Sequence, residues 1–191
     1  MGQLRAKPAA GDSAVPVSLP PPEKQGGLPL MEALAMRRSS REFSPEPLPL
    51  PLLSNLLWAA YGINREDGGR TAPSALNAQE VDIFVALSSG PYRYDAATHA
   101  LILVAASDIR RITGYQDFVD EAPLDLVYVA DYTRLSRVPF SQRESYASVA
   151  AEAIAQNVYL FAASNNLAAV LRAFQCGSRI RPRRDYHLLR W

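Results

Sequence analysis

"YASVAAEAIAQNVYLFAASNNLAAVLRAF", residues 146–174, is apolar on most faces of a helix. A helix with a single apolar stripe lies on a surface, whereas one that is apolar all round is buried in a large core or against another chain. A chain of 191 residues has limited room to bury such a helix alone, so the stretch predicts a homodimer. Asn165 and Asn166 offer the backbone competing hydrogen bonds and predict a break into a helix and an extended continuation. Gln156 and Asn157 lie inside the apolar run, and buried amides must find partners. A core network or dimer contact is the default for them, and a ligand contact is the alternative.

Outward from this helix lie the strands. "LDLVYVAD", 124–131, is an apolar run that suits a central strand. "EVDIFVAL", 80–87, alternates as a strand does, Tyr92 and Tyr94 begin a return strand, and "HALILVAA", 99–106, predicts another. "DIRRITGYQDFVDEAP", 108–123, reads as a helix or an irregular segment ending at Pro123. Nearer the N-terminus, "LLSNLLWAAYG" sets Leu53, Leu57 and Ala60 or Tyr61 on one helical face, with Gly62 as the stop. "LPLMEALAMRR" does the same with Leu30, Ala33 and Leu34, and the proline-rich "SPEPLPLPLL" separates the two helices. The order helix, helix, strands, helix, strand, long helix predicts an α+β fold with helices packed on a sheet.

Composition narrows the function. Lys plus Arg is 20 against 19 Asp plus Glu, a net charge of +1, which argues against a broad nucleic-acid surface but leaves room for a local basic pocket. The single cysteine, Cys176, permits no intrachain disulfide, and with only His99 and His187 it argues against a transition-metal site. One free thiol suits a reducing cytoplasm. The first residues carry no apolar signal-peptide core, and no apolar run reaches the roughly 18–20 residues of a membrane span. Residues 1–27, rich in Pro, Gly and Ala, read as a flexible leader or an arm.

Three arginines and two serines are packed into "MRRSSREFSP", residues 36–45. Basic residues at a helix end complement its dipole, and that alone explains Arg37, Arg38 and Arg41. A bound phosphate explains both the arginine forks and the hydroxyls of Ser39 and Ser40. In "RTAPSALNAQ", 70–79, Pro73, Ser74 and Asn77 are placed to offer an amide and backbone donors to a planar ring, or simply to start a helix with Ser74 as its cap. No GxGxxG, Walker A loop or Ser–His–Asp arrangement is present, and Gln79, Glu80 and Asp82 make no convincing carboxylate pair. A site so poor in catalytic side chains suits an organic cofactor that brings its own reactivity.

Five segments then resemble the nitroreductase-like flavoproteins in order and spacing: "MEALAMRRSSREFSPEPLPLPLLSNLLWAAYGINR", "GRTAPSALNAQEVDIFVAL", "GPYRYDAATHALILVA", "ITGYQDFVDEAPLDLVYVAD" and "AQNVYLFAASNNLAAVLRAF". The resemblance covers residues 28–174 and looks closest to the short branch related to the oxidase of thiazole and oxazole peptide synthesis. It implies a central, mostly antiparallel sheet flanked by helices, in a homodimer with FMN at each subunit interface. It further implies that Arg37, Arg38, Ser39 and Arg41 grip the FMN phosphate and ribityl chain, and that Pro73, Ser74 and Asn77 line one side of the flavin. Leu171, Arg172 and Ala173 would then pass the ring edge near N5. The implied chemistry is ping-pong: NAD(P)H reduces FMN, and a small electron-poor acceptor such as a nitro compound or quinone takes the hydride in the same place, without a protein nucleophile. Trp58, Tyr61 and Arg70 are candidates for the substrate side.

Two features depart from the family. Its last helix and final strand are missing or altered, and residues 175–191 form a divergent basic tail. Either Arg179, Arg181, Arg183 or Arg184 takes over a phosphate contact, or the sheet lacks an edge. Asn165–Asn166 stands where a glycine is common, a mild change because Asn tolerates left-handed backbone. The Lys and Tyr of the peptide-azoline oxidases have no match here, so heterocycle oxidation is not expected.

Overall fold

The computed structural model describes residues 16–113, 122–172 and 186–188. Within them six strands form one sheet: β1 Val17–Ser18, β2 Val81–Leu87, β3 Gly90–Asp95, β4 Ala100–Leu103, β5 Asp125–Asp131 and β6 Tyr186–Leu188. Their order is β1-β4-β3-β2-β5-β6, and every pairing is antiparallel. The helices are α1 Leu30–Met36, α2 Leu50–Tyr61 and α3 Phe140–Ser164.

The alternation seen in "EVDIFVAL" is used as expected. Val81, Ile83 and Val85 of β2 lie across from Ala130, Tyr128 and Leu126 of β5, and the first three are buried. They cluster with Leu53, Leu57, Ala60 and Tyr61 of α2 and with Ala147, Ala150, Ala151, Ile154 and Ala155 of α3. Those α3 positions recur every three or four residues, so one stripe faces the core.

Among the described residues, part of the opposite side of α3 is left exposed. Val149 is 66% exposed and Gln156 is also exposed, so the expectation that both amides are buried holds only in part. Asn157, half-buried, donates to the Ala60 carbonyl of α2. The reason lies in the helix register: Gln156 shares a face with the exposed Val149 and Glu152, about 100° round the helix from the buried Ala155.

Pro139 precedes α3, and its fixed φ suits the residue before a first turn. Asn166, at φ 53°, ends the helix, while the Leu167 amide returns to the Ala162 carbonyl at 2.8 Å. This left-handed cap turns the chain sharply into 167–172, the break expected at Asn165–Asn166. Gly62 ends α2 as expected; a Cβ there would lie 2.3 Å from the Trp58 ring.

The sheet edges differ from expectation. Val17 and Ser18, in the segment read as leader or arm, pair with Leu101 and Ala100, and Leu19 joins the core. Beyond them, the Glu23 amide bonds Asn55 and the Leu28 amide bonds Ser164. At the other edge, the expected missing or altered strand is corrected in part: Tyr186–Leu188 of the divergent tail pair with Asp131–Val129. The physical reason is that β5 without β6 would be an edge with unpaired backbone groups, and three extended residues satisfy them. The segment 108–123 is irregular where described, with one 3₁₀ turn at Arg110–Ile112. Ala173 and the arginines at 179, 181, 183 and 184 lie outside the described residues.

Candidate active site

The turn after Asn166 brings the end of the chain's long helix back to the segment after α1. The Ser40 amide donates to the Ala169 carbonyl at 2.9 Å. Tyr159, on the last turns of α3, stands between the two segments. Its hydroxyl accepts the Leu171 amide at 2.6 Å and lies 2.9 Å from Ser39 Oγ. The Arg37 guanidinium sits 5.2 Å above the Tyr159 ring, within cation–π range.

These residues border a cavity of about 1100 Å³. Arg37, Arg38 and Ser40 line it from one segment, and Leu171 and Arg172 from the other. Phe84, Leu126, Val127 and Val158 give it apolar walls. Ligand pockets usually run to about 300–1,000 Å³, so this one has room for more than one small molecule.

Arg172 is not a loose cation. It pairs with Asp125 at 3.3 Å, both side chains largely buried, and Thr113 donates to the other Asp125 oxygen at 2.8 Å. Burial pushes the Asp125 carboxyl above its usual range, against the opposing pull of Thr113 and Arg172.

Arg41 is exposed and is not part of the cavity lining, and Ser39 meets the cavity only through its contact with Tyr159. Pro73, Ser74 and Asn77 are absent from the lining as well. Their loop enters β2 at Val81, whereas the cavity reaches the strand at Phe84 and Ala86. Three steps of strand, at about 3.3 Å each, put roughly 10 Å between Val81 and Phe84, the nearest strand residue of the lining. A single chain therefore does not bring its two predicted ligand groups together.

The loop is nonetheless built. Leu76, Asn77 and Gln79 all have left-handed backbone, with φ of 59°, 51° and 49°. Gln79 is bonded at every polar atom. Its amide N donates to Ser74 Oγ at 2.8 Å, and its carbonyl accepts from Arg134 at 2.8 Å. Oε1 accepts from Arg70 at 2.9 Å, and Nε2 donates to the Gly68 carbonyl and Asn77 Oδ1. Ser74 Oγ donates to Glu80 Oε2 at 2.5 Å, so it is not the simple helix cap expected. Glu80 has no exposed surface, and its Oε1 is buried without a partner, as is the Tyr61 hydroxyl. Burial pushes the Tyr61 phenol up to about 12, and the Glu80 carboxyl adds to the shift.

Tyr61 and Arg70 belong to this cluster: Arg70 stacks 4.8 Å from the Tyr61 ring and donates to its carbonyl. Trp58 is half-buried at the end of α2, its indole bonded to the Ile63 carbonyl. Sequence reasoning missed Tyr159, which looked like one more apolar helix position. It also passed over Gln79 and Glu80, because their role depends on a fold-back of the loop.

The sequence pattern of the nitroreductase family matches residues 34–174. A candidate nitroreductase of Methanocaldococcus jannaschii is 33% identical over 151 residues, covering 74% of this chain and 76% of its own. A crystal structure of a candidate nitroreductase from Ralstonia eutropha JMP134 superposes with a TM-score of 0.85 at 46% identity, over 98% of this chain and 92% of that one. The NADPH:FMN oxidoreductase of Vibrio harveyi, complexed with NAD+, shares the fold at 21% identity and a TM-score of 0.52, over 73% of this chain and 53% of that one.

Proposed function

The chain belongs to the nitroreductase family, and on that premise we propose that it is an FMN-dependent oxidoreductase using NAD(P)H to reduce an electron-poor small molecule. The carrying observation is the junction at Tyr159, where Arg37, Arg38 and Ser39 meet Leu171 at the edge of one cavity. FMN, when bound, supplies two-electron hydride transfer by a ping-pong route, from the nicotinamide to an acceptor such as a nitro compound or a quinone.

The residues present fit that group. A phosphate needs cations and hydroxyl donors, and Arg37, Arg38 and Ser39 offer both. The Leu171 amide already donates to the Tyr159 oxygen, so the phenol hydrogen can go to Ser39. The Ser39 hydrogen is then left to bond an anion. The apolar walls suit a flat ring, and the cavity's size leaves space for a nicotinamide or acceptor beside it. Arg172, fixed by Asp125, would present a held guanidinium edge rather than a mobile one. Arg41 would contribute charge from outside the lining.

The loop of Pro73, Ser74 and Asn77 fits the same site across a dimer interface. In that arrangement each cavity receives the loop of the other copy, and the stretch of β2 between the two groups is no obstacle. Exposed apolar side chains agree with such an interface: Leu30 and Met31 on α1, at 63% and 75%, and Phe140 and Val149 on α3. We assign residues 28–174 to the FMN domain, with a cytoplasmic location in keeping with the single cysteine. A specialised flavin oxidase of a peptide or metabolite, as in the branch the sequence resembles, is the variant reading.

The first test is the visible spectrum of the purified protein, with release and identification of any bound cofactor. Flavin bands with one FMN per chain, bleached by NAD(P)H, are expected. A colourless protein that takes up no added FMN overturns the proposal. Flavin that NAD(P)H does not bleach favours the oxidase.

A further inference from the structure

Glu80 lies at the start of β2 beside Val81 and has no exposed surface. A carboxyl group in such a place is costly to desolvate, and an apolar residue would extend the core formed by Val81, Ala72 and Ala130. Its one hydrogen bond is to Ser74, and its second oxygen is without a partner. A buried carboxyl whose one side-chain hydrogen bond is to Ser74 is placed to orient that hydroxyl.

Ser74 shows how. Its hydroxyl hydrogen goes to Glu80, which turns the oxygen's lone pairs toward the Gln79 amide. That bond closes the loop over the left-handed residues Leu76 and Asn77 and onto the left-handed Gln79. Left-handed backbone is strained for L-residues, and such strain persists only where surrounding contacts over-determine it. The closed loop has one further consequence. Gln79 Nε2 donates to Asn77 Oδ1 at 3.1 Å, so the exposed Asn77 keeps its acceptor inward and its NH₂ group outward.

We propose that Glu80 is a positioning residue that acts through Ser74 to hold the turn at 76–79, with Leu76, Asn77 and Gln79 left-handed, in the form in which Asn77 offers its amide hydrogens to the flavin. The proposal rests on the FMN reading above. It also changes the role of Ser74: its hydroxyl is consumed inside the loop and does not reach the cofactor.

The test compares Glu80→Ala, Glu80→Gln, Ser74→Ala and the double Glu80→Ala/Ser74→Ala with the wild-type protein. FMN affinity is read by quenching of flavin fluorescence, and loop closure by amide hydrogen exchange at residues 75–79 without FMN. Glu80→Ala and Ser74→Ala should each weaken FMN by about tenfold or more and speed exchange in the loop. Glu80→Gln keeps an acceptor for Ser74 and should stay within about twofold of wild type. The double variant should be no worse than either single one, because both break the same link.

Wild-type affinity in Glu80→Ala overturns the proposal, as does Glu80→Gln behaving like Glu80→Ala. If Glu80→Ala fails to fold, Ser74→Ala decides, and wild-type affinity there overturns it too. A wild-type protein that takes up no FMN overturns the cofactor reading instead. The exchange rates at 75–79 in the variants then settle separately whether Glu80 holds the loop, and unchanged rates would show that it does not.

Discussion

Ser39 and Tyr159 are 120 residues apart in the chain and 2.9 Å apart in the fold. Tyr159 also holds the Leu171 amide, so one phenol joins the segment after α1 to the segment after α3. Tyr159→Phe removes the hydroxyl and leaves the ring under Arg37. A lost hydrogen bond of this kind is worth about 1 kcal/mol, so FMN affinity should fall by roughly fivefold. Titration with FMN would read this, and helical circular dichroism should stay unchanged. An unaltered affinity would mean that the junction does not shape the cofactor site.

The arginines make a sharper comparison. Arg38 lines the cavity, Arg41 does not, and Arg65 lies outside the lining in an exposed loop beside Asp67 at 3.5 Å. A charge-assisted bond to phosphate is worth about 1.5–3 kcal/mol, so Arg38→Ala should weaken FMN by roughly tenfold to a hundredfold. Arg41→Ala should have a smaller effect and Arg65→Ala none, since exposed pairs contribute little. Three equal dissociation constants would refute the phosphate assignment.

The helices and central strands were legible because their signals are local. Alternation in β2, the helical spacing of Leu53, Leu57 and Ala60, and the stop at Gly62 need only a short window of sequence. The arginine and serine group was legible as a local cluster of forks and hydroxyls, and its use for a phosphate is what the arginine comparison tests. What stayed hidden depends on distant contact. Tyr159 shows its use only once the chain has turned at Asn166, and Glu80 only once the loop folds back onto it. Val17 and Ser18 have no strand pattern of their own; the open edge of β4 makes them one.

The turn at Asn166 is open to a direct test. Its φ of 53° is one that Asn and Gly adopt with less strain than Ala. Asn166→Ala should therefore cost about 1 kcal/mol of stability, whereas Asn166→Gly should cost little or nothing. Urea unfolding measures both. Because the same turn aims Leu171 and Arg172 at the cavity, the alanine variant should also bind FMN more weakly. Equal midpoints for the two variants would mean that the cap does not set the chain's direction.

The last prediction concerns His99, which ties the N-terminal segment to the body. Ser54 Oγ donates to the Pro20 carbonyl at 2.6 Å and therefore accepts from His99 Nε2–H at 2.7 Å. Nδ1 is then the acceptor for the Tyr94 hydroxyl at 2.9 Å, so the ring is neutral with its hydrogen on Nε2. A second proton would fall on Nδ1, against the donor hydrogen of a buried Tyr94. Burial, aided by the charge of Lys24, accordingly lowers the His99 pKa from its ordinary 6.5, while the Pro20 carbonyl opposes the shift. Because the folded pKa lies below the unfolded one, the unfolded chain binds more protons just below 6.5. Stability is thus full above that pH and declines as pH falls toward the folded pKa. Denaturant midpoints followed from pH 7.5 to 5 should drop in the wild-type protein, and His99→Gln should remove the His99 share of that slope. Parallel profiles for the two proteins would show that the ring is already free to take its proton in the fold.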